Sequence, residues 1–160
     1  MNKRLTMNSI EIKVDDLNGP EVTGLLQEHM QEMIQRSPPE SIHALDLEGL
    51  RKPEITFWTA WRDQQLIGCG ALRELNADHG EIKSMRTATA FQEQGIGKKM
   101  LKHLLEEARR REYARVSLET GSQDSFNPAR QLYAGFGFQY CEPFADYRED
   151  PNSVFMTLDL

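Results

Sequence analysis

Gln92-Glu93-Gln94-Gly95-Ile96-Gly97 runs straight into Lys98-Lys99-Met100-Leu101-Lys102-His103-Leu104-Leu105, a stretch with helical apolar spacing. Glycine has no Cβ, so a loop with two glycines can turn tightly and come close to a ligand. A helix that begins there presents unsatisfied N–H groups and the positive end of its dipole above the loop. A free helix N-terminus favours Asp and Glu, yet this one carries Lys98, Lys99 and Lys102 in its first turns. Cations there oppose the dipole unless an anion joins them. The chemistry this predicts is the binding of a pyrophosphate-like anion.

Other reactive side chains are scattered more thinly. Lys83, Arg86 and Glu119 are charges within strand-like runs, and such groups must be paired if buried. They form a structural ion-pair network or recognise a substrate carboxylate, a task for which a guanidinium is well shaped. His43 is a lone loop histidine. His29, His79 and His103 make no helix-face pairing with carboxylates, so no metal site is expected. Cys69 and Cys141 have neither metal spacing nor a disulfide framework. Cys141 follows Gly137-Phe138 but lacks the partnered base a nucleophile needs. Trp58 and Trp61 read as hairpin packing residues.

The elements that must position these groups follow from periodicity. Ile10 to Val14 alternates like a half-buried strand, and Val22, Leu25, Leu26, Met30, Met33 and Ile34 recur at helical spacing over 21–36. Pro38 and Pro39 stop that helix, and 41–52 reads as a loop with a short helix. Ile55 to Trp61 and Gln64 to Leu75 form a hairpin turning near Arg62-Asp63. Residues 81–87 are a further strand, and the glycine loop opens a helix to about residue 112. Arg115 to Thr120 is a strand, and Asn127-Pro128 reads as N-cap plus first helical residue. Phe138 to Cys141 and Ser153 to Leu158 close the chain as two strands. The order β-α-α-β-β-β-α-β-α-β-β predicts an α/β fold, a mixed sheet with helices on both faces.

At 160 residues the chain is expected to be one domain, with 1–8 as a disordered leader. A net charge of −6 and the lack of a basic stripe argue against nucleic acid or an anionic membrane as partner. No apolar run is long enough to span a bilayer, and the first residues lack a signal peptide's apolar segment, so the expected location is cytoplasmic.

The motifs carry a family resemblance. Gln92-x-x-Gly95-x-Gly97 resembles the acyl-CoA signature Q/R-x-x-G-x-G/A of the GNAT (Gcn5-related) N-acetyltransferases. Glu81-Ile82-Lys83-Ser84-Met85-Arg86-Thr87 stands where that family places its fourth strand, and Ala129-x-x-Leu132-Tyr133-x-x-x-Gly137-Phe138 is similar to its A-x-x-L-Y-x-x-x-G-F. Together the three elements cover roughly residues 81–138. With Leu118-Glu119-Thr120-Gly121, the first of these strands is similar to a bacterial subgroup of small acetyltransferases.

The resemblance implies an acetyl-CoA-dependent N-acetyltransferase, working by direct attack of a small-molecule amine in a ternary complex. The main-chain N–H groups of Gln94, Gly95, Ile96, Gly97 and Lys98 would hold the pyrophosphate. Main-chain groups over Met85, Arg86 and Thr87 would meet the pantetheine amides and the thioester carbonyl. Tyr133 would be the general acid toward the leaving sulfur, although Ala129, Leu132, Tyr133 and Phe136 also have the spacing of a core stripe. Glu81, directly or through water, would be the base, with Glu119 as its rival. The family's CoA-contacting Asn falls one place off here: Phe126 occupies the site and Asn127 reads as the N-cap. No metal is implied, and small domains of this kind often form homodimers. Two alternatives stand beside this reading. One is a non-catalytic acyl-CoA-binding module on the same fold. The other, a dinucleotide-binding domain, lacks the third glycine of its motif, where position 100 is Met.

Overall fold

In the computed structural model, residues 9–43 and 45–160 are described, so the leader expected over 1–8 lies outside the described residues. A seven-stranded sheet runs in the order β1-β2-β3-β4-β5-β7-β6. Its strands are β1 (Glu11–Val14), β2 (Ile55–Arg62), β3 (Gln65–Asn76), β4 (His79–Thr87), β5 (Arg115–Gly121), β6 (Gln139–Cys141) and β7 (Ser153–Asp159). Every neighbouring pair is antiparallel except β4 and β5. Four helices complete the expected order: α1 (Pro20–Arg36), α2 (Leu47–Leu50), α3 (Ile96–Arg110) and α4 (Asn127–Gly135).

Each face of the sheet has its own core. On one face α3 presents Met100, Leu101, Leu104, Leu105 and Ala108, all buried, against Ile67, Leu72, Ile82, Val116 and Leu118. A Cβ on Gly70 of β3 would stand 2.8 Å from Met100 Cγ, so this glycine lets α3 lie close against the sheet. On the other face α1 buries Val22, Leu25 and Leu26 against Phe57, Cys69 and Ala71. Pro20 sits in the first turn of α1, where its missing N–H costs nothing. Asp46 caps α2 by accepting from the Gly49 N–H at 2.8 Å. The β2–β3 hairpin turns on Asp63 and Gln64, both left-handed with φ of 49° and 67°. Trp58 is buried in the α3-side core, as expected of a hairpin packing residue.

The start of α4 differs from expectation. Phe126 is the N-cap, and Asn127 is already helical at φ −58°, ψ −41°, with no side-chain cap bond. The reason is the single 3₁₀ turn at Asp124–Phe126, which feeds directly into the helix and moves its first residue back by one. Phe126 is held instead by burial of its ring beneath Gly121, where a Cβ would stand 2.2 Å from the ring.

Candidate active site

The parallel pairing of β4 and β5 is short. His79, Gly80 and Glu81 pair with Arg115, Val116 and Ser117, and beyond them the two strands part. A cavity of about 550 Å³ opens there, walled by Ile82–Thr87 of β4, Glu119–Gly121 of β5, the glycine loop, α4 and the inner side of α1. The β4 wall is bent by a bulge. Cys69 pairs with Arg86 and Ala71 with Lys83, so Ser84 and Met85 together face Gly70. Ser84 takes φ 55°, and its carbonyl accepts from the Cys69 thiol at 3.2 Å. Main-chain groups from the bulge onward, at Met85–Thr87, are thereby set along the cavity with no pairing to β5.

The glycine loop ends in Gly95, which is left-handed at φ 81° and is the N-cap of α3, with no side-chain cap bond. The first turn of α3 holds no acidic residue, so its N–H groups remain available to an anion. Gln92, Gly95, Gly97 and Lys98 line the cavity. Gln94 and Ile96 turn their side chains elsewhere: Gln94 Oε1 accepts from Arg62 at 2.8 Å, and Ile96 is buried in the core. What those two offer a ligand is main chain alone. The donor set suits a diphosphate.

Tyr133 reaches the cavity from α4, with its ring edge-on to Phe138 at 5.7 Å. Burial pushes its hydroxyl far above the usual phenol range, and the charge of Glu119 adds to the effect. Tyr133 is therefore both a core aromatic and a cavity residue. Glu119, on β5, also faces the cavity, and its carboxyl is pushed up to about 7. Burial is the largest cause. The Ser153 hydroxyl and Lys83 oppose it, while Glu81 and Asp150 push in the same direction.

Glu81 lies outside the cavity wall. It is completely buried, with Lys83 Nζ 3.3 Å from Oε2 and Arg73 Nη1 3.7 Å from Oε1. Tyr147, from the loop between β6 and β7, donates its hydroxyl to Glu81 and accepts from Lys83 at 2.8 Å. His43 packs edge-on against Tyr147 at 5.0 Å, and Asp150 accepts from Ser41 at 2.6 Å. These contacts fasten residues 142–152 over the polar side of β4 and β5 as a strap. Arg86 lines the cavity but commits its guanidinium to Glu28 and Glu32 of α1 and to Thr89. His29 of α1 is half-buried and held neutral, its pKa lowered to about 4 by desolvation and then by Arg86.

The family model described as "Acetyltransferase (GNAT) family" matches residues 21–138. This chain belongs to the GNAT acetyltransferase family. It is 62% identical over 151 residues to the uncharacterized N-acetyltransferase YsnE of Bacillus subtilis, covering 94% of this chain and 100% of that protein. It is 51% identical over 149 residues to the uncharacterized N-acetyltransferase YedL of Escherichia coli, covering 93% and 94% of the two chains. The fold is similar to that of a GNAT family acetyltransferase from Elizabethkingia anophelis with acetyl-CoA bound. That likeness has a TM-score of 0.68 at 20% identity, over 96% of this chain and 99% of that one. The protein is an acetyl-transferring enzyme with a GNAT fold.

Within this GNAT acetyltransferase, one cavity gathers Met85, Arg86 and Thr87 of β4, five residues of the loop and first turn, and Tyr133. Glu81, and the side chains of Gln94 and Ile96, stay out of it. Cys141 is half-buried and does not line it, whereas His43 does. Sequence reasoning passed over Tyr147 and weighed His29 only as a metal ligand. His29, Met33 and Arg36 share one face of α1 at i, i+4 and i+7, a spacing visible beforehand but chemically silent. Tyr147 sits in an irregular loop, where no periodicity marks a half-buried side chain.

Proposed function

We propose that the protein transfers the acetyl group of acetyl-CoA to the primary amine of a small acceptor by direct attack in a ternary complex. The observation that carries this reading is a single cavity that joins a left-handed glycine loop at a cation-rich helix start to a carboxyl poised near neutrality.

Acetyl-CoA supplies an acetyl group already activated as a thioester. The N–H groups from Gln94 to Lys98 bind its diphosphate, with Lys98 as a cationic neighbour. Residues 85–87, free of β5, offer main-chain groups to the pantetheine amides and an N–H to the thioester oxygen. Glu119 takes the proton that the acceptor ammonium must lose, since a base with pKa near 7 is matched to neutral conditions. The acceptor nitrogen forms the new C–N bond as the C–S bond breaks, it sheds its second proton to solvent, and Tyr133, kept protonated by its burial, donates to the departing sulfur. Exchange with solvent restores both groups. Glu119 is preferred over Glu81 because Glu81 is enclosed by Lys83, Arg73 and Tyr147.

Thermal unfolding with acetyl-CoA, NADH and ATP in separate samples, followed by thiol release with an amine panel, tests the reading. A native-state ligand at about a hundred times its Kd adds roughly 2.7 kcal/mol, a plain rise in midpoint. A rise with acetyl-CoA and amine-dependent thiol release is the expected result. No rise with acetyl-CoA would overturn it.

A further inference from the structure

Most charges at the end of the cavity away from the glycine loop are already matched. Arg86 is held by Glu28 and Glu32, and Glu32 also meets Arg36 at 3.6 Å. The Glu81 cluster is not matched. One carboxylate lies between two cations, Arg73 at 3.7 Å and Lys83 at 3.3 Å, which leaves a surplus positive charge. An ammonium has three donors. Lys83 uses one on Glu81 and one on the Tyr147 hydroxyl, and its third has no acceptor among the described residues. Its side chain is 7% exposed, yet it lines the cavity. A buried cation with a spare donor is costly unless an anion completes it.

Glu119 is not that anion. No ion pair within 4 Å joins it to Lys83 among the described residues. The two residues stand one alternation beyond the last paired position, Glu81 opposite Ser117, on the same face of the sheet. They therefore flank the opening from opposite strands. A small molecule bearing both an ammonium and a carboxylate spans that opening with each group against its complement.

We infer that Lys83 binds a carboxylate of the acceptor, and that the acceptor is a small amino acid, its amine at Glu119 and its carboxylate at Lys83. Glu81 and Tyr147 position the Lys83 ammonium. The inference rests on the transferase reading above and narrows its substrate class.

The test compares amino acids with their decarboxylated counterparts: alanine with ethylamine, leucine with isoamylamine, methionine with 3-methylthiopropylamine, phenylalanine with phenethylamine. For at least one pair, kcat/KM for the acid should exceed that for the amine by tenfold or more. Lys83→Gln should bring that ratio close to one, and Lys83→Arg should keep most of it. Thermal midpoints with each acid and each amine, without acetyl-CoA, read binding independently and should rise with an acid alone. If Lys83→Gln does not fold, the wild-type ratio and Lys83→Arg decide. The inference is overturned if amines match or exceed acids in every pair, if Lys83→Gln keeps the ratio, or if no acid raises the midpoint. The two readings separate cleanly. Turnover of amines but not acids removes the carboxylate site alone, whereas no response to acetyl-CoA removes the transferase reading and leaves the acid-specific midpoint to judge Lys83.

Discussion

Arg86 grips Glu32 with both ends of its guanidinium, Nη2 to Oε1 at 2.9 Å and Nη1 to Oε2 at 2.5 Å. The pair ties α1 to β4 immediately after the bulge, and with Glu28 and Thr89 it seals one wall of the cavity. Arg86→Met removes three charge-assisted bonds to Glu28 and Glu32 and leaves Glu32 partly buried without this partner. We expect a loss of about 2 kcal/mol, read as a lower urea midpoint at unchanged slope. Acetyl transfer should fall as well, because the cavity wall loosens. A variant as stable as wild type would show that α1 is held by its apolar face alone.

Glu119 makes two opposite demands on pH. As the base it must be ionised, so log kcat/KM should climb with pH and level off above about 7. Glu119→Gln should lose roughly 10²- to 10⁴-fold of this activity and the inflection with it. Stability runs the other way. The folded pKa lies above the ordinary value of 4.5, so the stabilisation from holding the proton is complete below about 4.5 and is lost as pH rises through about 7. Glu119→Gln lacks that loss, so its midpoint relative to wild type should rise by a few degrees between pH 5 and pH 8. A constant difference over that range would show that the carboxyl is ordinary.

Two glycines of the loop should separate folding from binding. Gly95 is left-handed at φ 81°, so Gly95→Ala should cost about 1–2 kcal/mol whatever is bound. A Cβ on Gly97 would meet only Leu132 at 3.5 Å and Thr87 at 3.8 Å, both ordinary contacts. Gly97→Ala should therefore fold as wild type does. Its methyl stands at the cavity wall, however, and should weaken acetyl-CoA binding by tenfold or more in a calorimetric titration. Equal affinities for Gly97→Ala and wild type would place the diphosphate elsewhere.

The two thiols should differ in reactivity. Cys69 is buried beside the bulge, its pKa is pushed up to about 12, and it donates to Ser84. Cys141 is only half-buried. Titration with a thiol reagent should label Cys141 in the native protein and Cys69 only in denaturant. Prompt labelling of both would mean that the bulge opens readily.

Much of the fold was legible because period and punctuation carried it. The stripe Met100, Leu101, Leu104, Leu105 and Ala108 announced α3, and Gly95 marked its start through a backbone shape other residues avoid. The bulge was not legible. Strict alternation puts Lys83 and Arg86 on opposite faces, whereas the extra residue brings both to the α1 side, paired beside Ala71 and Cys69. The site was half legible for a related reason. The loop and Tyr133 lie in one contiguous stretch, but the partners of Glu81 come from β3, β4 and the strap. Choosing between Glu81 and Glu119 needed tertiary enclosure, which side-chain type does not encode. Asn127 misled because the 3₁₀ turn before it starts the helix a residue early.

A sheet ordinarily has two borders, and both invite the wrong neighbour. This one has a third, inside it, where β4 and β5 separate after Glu81 and Ser117. A strand from another chain needs an open row along which to lie. Here the row is closed at one end by the surviving pairs and walled by α1, the glycine loop and the strap, so nothing longer than a few residues can lie down in it. The molecule thus keeps a length of unpaired backbone open to a slender amide-bearing ligand while remaining unable to template its own aggregation there.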